Sequence, residues 1–290
     1  MLTARVVANF RATVALQLLD NTGFEKGYPL KNLPLLVAGD EVLCQREDGV
    51  LRVYELVERR SVLERADRHW LKPLAANLTH LGIVSASPPG IDHLLIDQFC
   101  VAAYRAGVSA LIIINKTDRM TAEERASAED MVTIYRNIGY PAVMIDTKTE
   151  GGMQPLLTEL EGRSVTLVGA SGVGKSSIIQ KLLPDRELRI GAVSQATGLG
   201  SHTTSVTYWY EMPQGGSIID SPGVRQYSVA HLDEQTVRHG FSELAEISAQ
   251  CRFGDCTHTV EPVCAVRDAV KSGAIAASRY DNYCKLIASE

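Results

Sequence analysis

The sequence predicts a multidomain α/β protein: a small N-terminal β-barrel, a central parallel sheet covered by helices, and a mostly helical C-terminal module. Three observations predict it. Short β-like runs separated by polar turns fill the first part of the chain, strand and helix patterns alternate from Leu81 onward, and cysteines cluster with a histidine near the C-terminus. The expected divisions are 1–72, 73–227 and 228–290.

In the first segment, Arg5 to Phe10 and Thr13 to Leu19 flank a tight connection. Glu41-Val42-Leu43-Cys44 follows the turn signal Gly39-Asp40, and Val50 to Val57 follows Asp48-Gly49. Four or five such strands predict a small barrel, with the oligonucleotide-binding type favoured among barrels that period-2 alternation does not separate. Lys72-Pro73 reads as the boundary.

The central segment then repeats strand and helix. Leu81-Gly82-Ile83-Val84-Ser85 is a buried strand, broken by Pro88-Pro89-Gly90, and Ile91 to Tyr104 has helical apolar spacing. Ala110 to Ile114 is the next strand, and Thr121 with Glu124 forms a capping box opening a helix. Ala142 to Ile145 and Met153 to Leu160 supply a third pair, and Ser164 to Val168 leads a fourth. Such a repeat places ligands at the C-terminal ends of the strands.

Composition bounds the reading. Of 290 residues, 45% are hydrophobic and 22% charged, an ordinary globular balance. The longest strongly apolar stretch, Ala110 to Ile114, is strand-sized, and Met1-Leu2-Thr3-Ala4-Arg5 does not lead into an apolar signal core. A cytoplasmic monomer with no membrane partner is expected. The net charge of −5 divides as +1, −3 and −3 over the three segments, so any RNA contact falls to local patches. Arg59-Arg60, Arg65 and Arg68 form the visible cluster, and a solvated charged face is the simpler reading of it.

Three motifs carry chemistry. Gly169-Ala170-Ser171-Gly172-Val173-Gly174-Lys175-Ser176-Ser177 fits G-x-x-x-x-G-K-[ST] between a strand and a helix, the context a phosphate-binding loop requires. Its glycines let backbone N–H groups turn toward phosphates, Lys175 reaches the β- and γ-phosphates, and Ser176 offers a hydroxyl to Mg2+. Asn115-Lys116-Thr117-Asp118 ends an apolar strand and has the N-K-x-D pattern that recognises guanine: two carboxylate acceptors of Asp118 match the N1–H and 2-amino donors, a pair adenine lacks. Asp220-Ser221-Pro222-Gly223 follows the strand Ser217-Ile218-Ile219 and resembles the D-x-x-G element of GTPases, in which the Asp holds Mg2+, usually through water, and the Gly N–H meets the γ-phosphate. Between these motifs lies the Gly-rich Thr197-Gly198-Leu199-Gly200-Ser201-His202-Thr203-Thr204. Thr204 is the expected switch ligand of Mg2+, with Thr203 the alternate. Val224 stands where a water-orienting glutamine is common, which leaves His202 as the candidate to orient the attacking water. A loop or RNA-contact role fits His202 nearly as well.

The base-recognition motif precedes the phosphate loop, the reverse of the common order, so one sheet can hold both only if the chain is circularly permuted. Beyond it, Cys251-x4-Cys256-x-His258-x5-Cys264 offers three thiolates and one imidazole with no open position, the pattern of one structural zinc. Cys44, Cys100 and Cys284 sit in apolar patterns, Cys284 being the one able to displace a proposed ligand.

Together the permuted order, the barrel ahead and the C-x4-C-x-H-x5-C segment behind resemble the ribosome small-subunit-dependent GTPase A family of circularly permuted GTPases. The resemblance extends to Lys72-Pro73-Leu74-Ala75-Ala76-Asn77, Tyr135-Arg136-Asn137-Ile138-Gly139-Tyr140 and Gly198 to Thr204. It implies an oligonucleotide-binding barrel, a permuted P-loop GTPase domain and a zinc domain. It also implies Mg2+-dependent GTP hydrolysis, stimulated by the small ribosomal subunit and coupled to its late maturation, with rRNA as partner. Where the family is expected to carry a base-loop serine, this chain has Asp146-Thr147, and with no basic run at Met1-Leu2-Thr3-Ala4-Arg5 the affinity for rRNA is expected to rest more on the barrel and zinc domain. Two other classes stay open on the residues alone: an NTP-dependent small-molecule phosphotransferase, and a passive rRNA-binding module.

Overall fold

A computed structural model describes residues 1–20, 23–67, 70–198, 206–221 and 232–288. Five strands, β1 (Leu2–Asn9), β2 (Val14–Leu18), β3 (Phe24–Pro29), β4 (Glu41–Glu47) and β5 (Val50–Leu56), close a barrel in the order β1-β2-β3-β5-β4 and back to β1. Only the β3–β5 pair is parallel. Alternate residues point inward, Ala4 and Val6 on β1, Val14, Leu16 and Leu18 on β2, Val42 and Cys44 on β4, Leu51 and Val53 on β5. Asp48 and Gly49 take positive φ of 49° and 81°, the backbone a two-residue hairpin needs.

A separate hairpin, β6 (Val62–Asp67) and β7 (Trp70–Ala76), follows the barrel. Lys72-Pro73, expected as a boundary, lies inside β7, with Pro73 opposite Glu64 where the register shifts. A proline breaks no ladder at such an irregularity, so the punctuation misleads.

The central sheet runs β10 (Ala142–Met144), β9 (Ser109–Asn115), β8 (His80–Ala86), β11 (Ser164–Val168), β13 (Ser217–Asp220), β12 (Tyr208–Glu211), parallel except for β12. Ala110 to Ile114 are fully buried, as strands covered on both faces must be. Helices α1 (His93–Arg105), α2 (Ala122–Ile138), α3 (Gln154–Leu160), α4 (Lys175–Leu182) and α5 (Arg186–Thr197) connect the strands. The capping box of α2 forms as expected: Thr121 Oγ1 accepts from the Glu124 N–H, and Glu124 Oε2 accepts from the Thr121 N–H. A single pairing, Ala8 with Tyr208, joins the barrel edge to β12.

Among the described residues, four helices follow: α6 (Glu234–Gly240), α7 (Ser242–Ser248), α8 (Ala265–Ser272) and α9 (Ala277–Ile287). Their core, with Val237, Phe241, Leu244 and Tyr283, packs on Val101 of α1. A buried polar network fixes the seam. Asp97 of α1 accepts from Arg279 at 2.5 Å, from Asn282 at 2.8 Å and from the Tyr135 hydroxyl, while Arg279 donates to Glu243 at 2.7 and 3.0 Å. The Arg279 guanidinium also lies 4.4 Å from the ring centre of Phe241. Burial works against its charge, but Asp97 and Glu243 outweigh that and raise its pKa further. Among the described residues, no helix is long and apolar enough to cross a membrane.

Candidate functional site

Parallel register puts the motif-bearing strand ends on one rim. Asn115 ends β9 opposite Ala86 of β8, Ile83 of β8 lies beside Val168 at the end of β11, and Asp220 ends β13 beside β11. The phosphate loop and the base-recognition turn therefore meet, although 54 positions separate Gly169 from Asn115 in the sequence. Asn115 Nδ2 donates to the Val173 carbonyl at 2.9 Å, and Lys116 Nζ donates to the Gly172 carbonyl at 2.6 Å and the Pro88 carbonyl at 2.9 Å. Lys116 takes φ 64°, a left-handed conformation uncommon for a non-glycine residue.

Glycine is required at two points of this contact. Gly174 has φ 100°, and a Cβ there would fall 2.2 Å from Asn115 Nδ2; at Gly169, φ 135°, it would fall 2.1 Å from the Val84 carbonyl oxygen. Lys175 is buried at the start of α4 and donates at 2.7 Å to the carbonyls of Gly169 and Ala170, so its ammonium lies against the loop. Ser171, Gly172, Ser176 and Ser177 are exposed along the same turn.

Asn115 is 1% exposed, and its Oδ1 has no hydrogen-bond partner among the described residues. An orphaned buried acceptor is costly unless a ligand completes it. Thr117 is buried, its N–H donating to Ile145 at 3.2 Å, while Asp118 on the following 3-10 turn is exposed and open to a ligand. The neighbouring loop is ordered by Asp146, whose carboxylate accepts from the N–H groups of Lys148 and Thr149 and from the Thr149 hydroxyl. Burial alone raises the Asp146 pKa; these hydrogen bonds outweigh it and hold the carboxyl below its usual range.

Asp220 is 4% exposed and pairs with Arg186 of α5 at 2.7 Å. Neither Arg186 nor α5 carries a sequence signal of function, because the helix has weak amphipathic patterning and the pairing spans a turn between distant motifs. His202, Thr203, Thr204, Gly223 and Val224 lie outside the described residues.

The second cluster is metal-like. Ligand atoms of Cys251, Cys256, His258 and Cys264 all lie within 4.8 Å of one another. Cys251 Sγ and Cys264 Sγ are each 3.5 Å from His258 Nδ1 and 3.9 Å from each other. Tetrahedral zinc has ligand-to-ligand edges of roughly 3.5–3.8 Å, so the donor set fits that ion. Burial, with the charge of Arg238, lowers the His258 pKa and favours the neutral imidazole that binds metal. Tyr280 and Tyr283 donate to the His258 and Thr257 carbonyls and fix the loop from α9. Cys284 is not one of the four. The basic cluster reads differently: Arg59 is bound at 2.7 and 2.8 Å to Asp40, which is fully buried, and so is a structural counter-ion rather than a free RNA contact. Arg68 lies outside the described residues.

The strand-end motifs meet on one rim, in permuted order and between a barrel and a Cys/His cluster that could hold a metal, which is the architecture of a circularly permuted P-loop GTPase. Comparison with known proteins agrees. Residues 56–230 match the RsgA GTPase family. The protein called small ribosomal subunit biogenesis GTPase RsgA in Chromohalobacter salexigens is 43% identical over 284 residues, 96% of this chain and 83% of that one. Its Haemophilus influenzae counterpart is 40% identical over 265 residues, 89% and 77% of the two chains. The crystal structure of YjeQ from Thermotoga maritima superposes with a TM-score of 0.80 at 26% identity, over 99% of this chain and 98% of that one. YloQ, described as a circularly permuted GTPase, shares the fold at a TM-score of 0.80 and 23% identity, over 100% and 94%. The chain belongs to the RsgA GTPase family, and is a GTPase by that membership.

Proposed function

We propose that this chain hydrolyses GTP with Mg2+ in the late maturation of the small ribosomal subunit, as a cytoplasmic monomer that binds rRNA and is stimulated by the subunit. The observation that carries the reading is the pair of hydrogen bonds from Asn115 and Lys116 to the phosphate loop, which ties base recognition to phosphate binding in one site. The names of the relatives supply the ribosomal assignment.

In this reading Asp118 accepts the two guanine donors, and the Lys116 stem packs along the base. Asn115 Oδ1 gains the partner it needs, and backbone N–H groups of Gly169 to Ser177 cradle the phosphates. Lys175 moves from the Gly169 and Ala170 carbonyls to the β- and γ-phosphates. Ser176, Thr204 (or Thr203) and Asp220 would hold Mg2+, which when bound neutralises phosphate charge. The Gly223 N–H meets the γ-phosphate, and His202 orients the attacking water in the complex with the subunit. Zinc on Cys251, Cys256, His258 and Cys264 is structural, with no open position for chemistry.

The test is GTP turnover with and without small ribosomal subunits, with co-sedimentation in GDP and in a non-hydrolysable GTP analogue. Stimulated turnover that Lys175→Ala abolishes is expected. Turnover indifferent to the subunit would contradict the ribosomal assignment, and transfer of phosphate to a small molecule would favour the phosphotransferase alternative. If His202→Ala leaves stimulated turnover unchanged, its catalytic role is wrong.

A further inference from the structure

Asp220 has a protein cation where its assigned role calls for a metal. Arg186 Nη2 sits 2.7 Å from Asp220 Oδ2, and Arg186 Nε is 3.4 Å from the Tyr210 hydroxyl. The Asp220 side chain is 3% exposed and the Arg186 side chain 32%. A buried carboxylate needs a counter-charge, and a guanidinium that stays partly in water can give up its partner without being stranded. A magnesium ion brought to the same carboxylate, directly or through one of its waters, meets the positive charge of the guanidinium on Oδ2, so each cation disfavours the other.

Arg186 is also the first residue of α5. Beyond it, Arg189 donates to the Glu211 carbonyl at 2.6 Å, and Val193 is buried. The face of α5 carrying Arg189 and Val193 lines a cavity of ≈ 180 Å³ shared with Val7 and Phe24 of the barrel and Trp209 of β12. The helix thus has Asp220 at one end and packs along its side on β3 of the barrel, beside the cavity.

We propose that Arg186 competes with magnesium for Asp220: it occupies the carboxylate until a magnesium nucleotide arrives, and its displacement loosens α5 beside the barrel. This rests on the assignment of Asp220 to Mg2+ above. The site built this way would report nucleotide state to the barrel through α5.

The experiment uses the full chain as wild type, Arg186→Met, Arg186→Lys and Asp220→Asn. Release of a fluorescent GDP analogue is followed across a magnesium titration, and amide hydrogen exchange of α5 is followed with and without Mg–GDP. In Arg186→Met, half-maximal retention of the nucleotide is expected at about threefold to tenfold lower magnesium, the range for losing a partly exposed charged competitor. Arg186→Lys should fall between that variant and wild type. In the wild type, α5 should exchange faster once Mg–GDP binds; in Arg186→Met it should exchange fast from the start. An unchanged or raised magnesium requirement in Arg186→Met overturns the competition while leaving the role of Asp220 intact. If Asp220→Asn has the magnesium dependence of wild type, the assignment beneath the proposal fails, and the proposal with it. Thermal melts of all four proteins establish that each is folded, and a folded Arg186→Met with protected α5 also overturns it.

Discussion

Arg279 and Arg186 each bring a guanidinium to a buried carboxylate of the central domain, yet they have opposite consequences. Arg279 is 2% exposed, held by Asp97 and Glu243 together, and flanked by Phe241 and Tyr135. The Arg186 side chain is about one-third exposed and pairs with Asp220 at 2.7 Å, with its Nε 3.4 Å from the Tyr210 hydroxyl. Removing a partner from the first strands charge on both sides of the pair; releasing the second returns the cation to water but leaves buried Asp220 in need of another cation. The difference teaches that burial and number of partners, not the ion pair as such, separate a permanent seam from an exchangeable contact. The C-terminal helices are joined permanently to α1, whereas α5 is held at the nucleotide rim by a bond that a competing cation can take.

The comparison can be broken most severely at the metal cluster. Stripping zinc with a chelator, or changing Cys256→Ser, should remove on the order of 10 kcal/mol of metal-linked folding energy from the C-terminal module. Loss of helical circular dichroism and new proteolysis around α8 and α9 are expected. A module that stays folded without metal would contradict the structural role. Next in size, Arg279→Ala should cost about 3–5 kcal/mol in urea unfolding, because Asp97 loses its charge partner. A cost below about 1 kcal/mol would place Arg279 with the surface pairs. Gly174→Ala should weaken nucleotide binding more than it weakens the fold, since its Cβ meets the Asn115 amide at the join between the two motifs; calorimetric binding beside a melting curve reads both. A smaller effect belongs to Arg186→Met, at about 1–3 kcal/mol without magnesium, because the buried Asp220 loses its counter-charge while only a partly exposed cation is removed. A loss as large as that of Arg279→Ala would erase the distinction.

Much of this was legible in the chain. Turn signals at Gly39-Asp40 and Asp48-Gly49 mark barrel strands, and the motifs stand at the ends of apolar strands, so their common rim follows from a parallel sheet. The strand β3 was not legible, because Phe24–Pro29 shows no alternation and Gly27 packs its backbone against Leu16. Lys72-Pro73 misled because a register shift accommodates the proline, and Arg59 misled because its partner Asp40 lies 19 residues back across the barrel. The helix α5 hides behind weak patterning. Asp97 and Arg279 are 182 positions apart, so no local pattern marks their pairing.

The central claim is that the shuffled segments around Asn115, Gly169 and Asp220 serve one guanine nucleotide, and Asp118→Asn tests it most directly. Nucleotide affinity measured by calorimetry should shift from GTP toward xanthosine triphosphate, because the amide supplies one acceptor and one donor where the carboxylate supplies two acceptors. Unchanged preference for GTP in the folded variant would contradict the account.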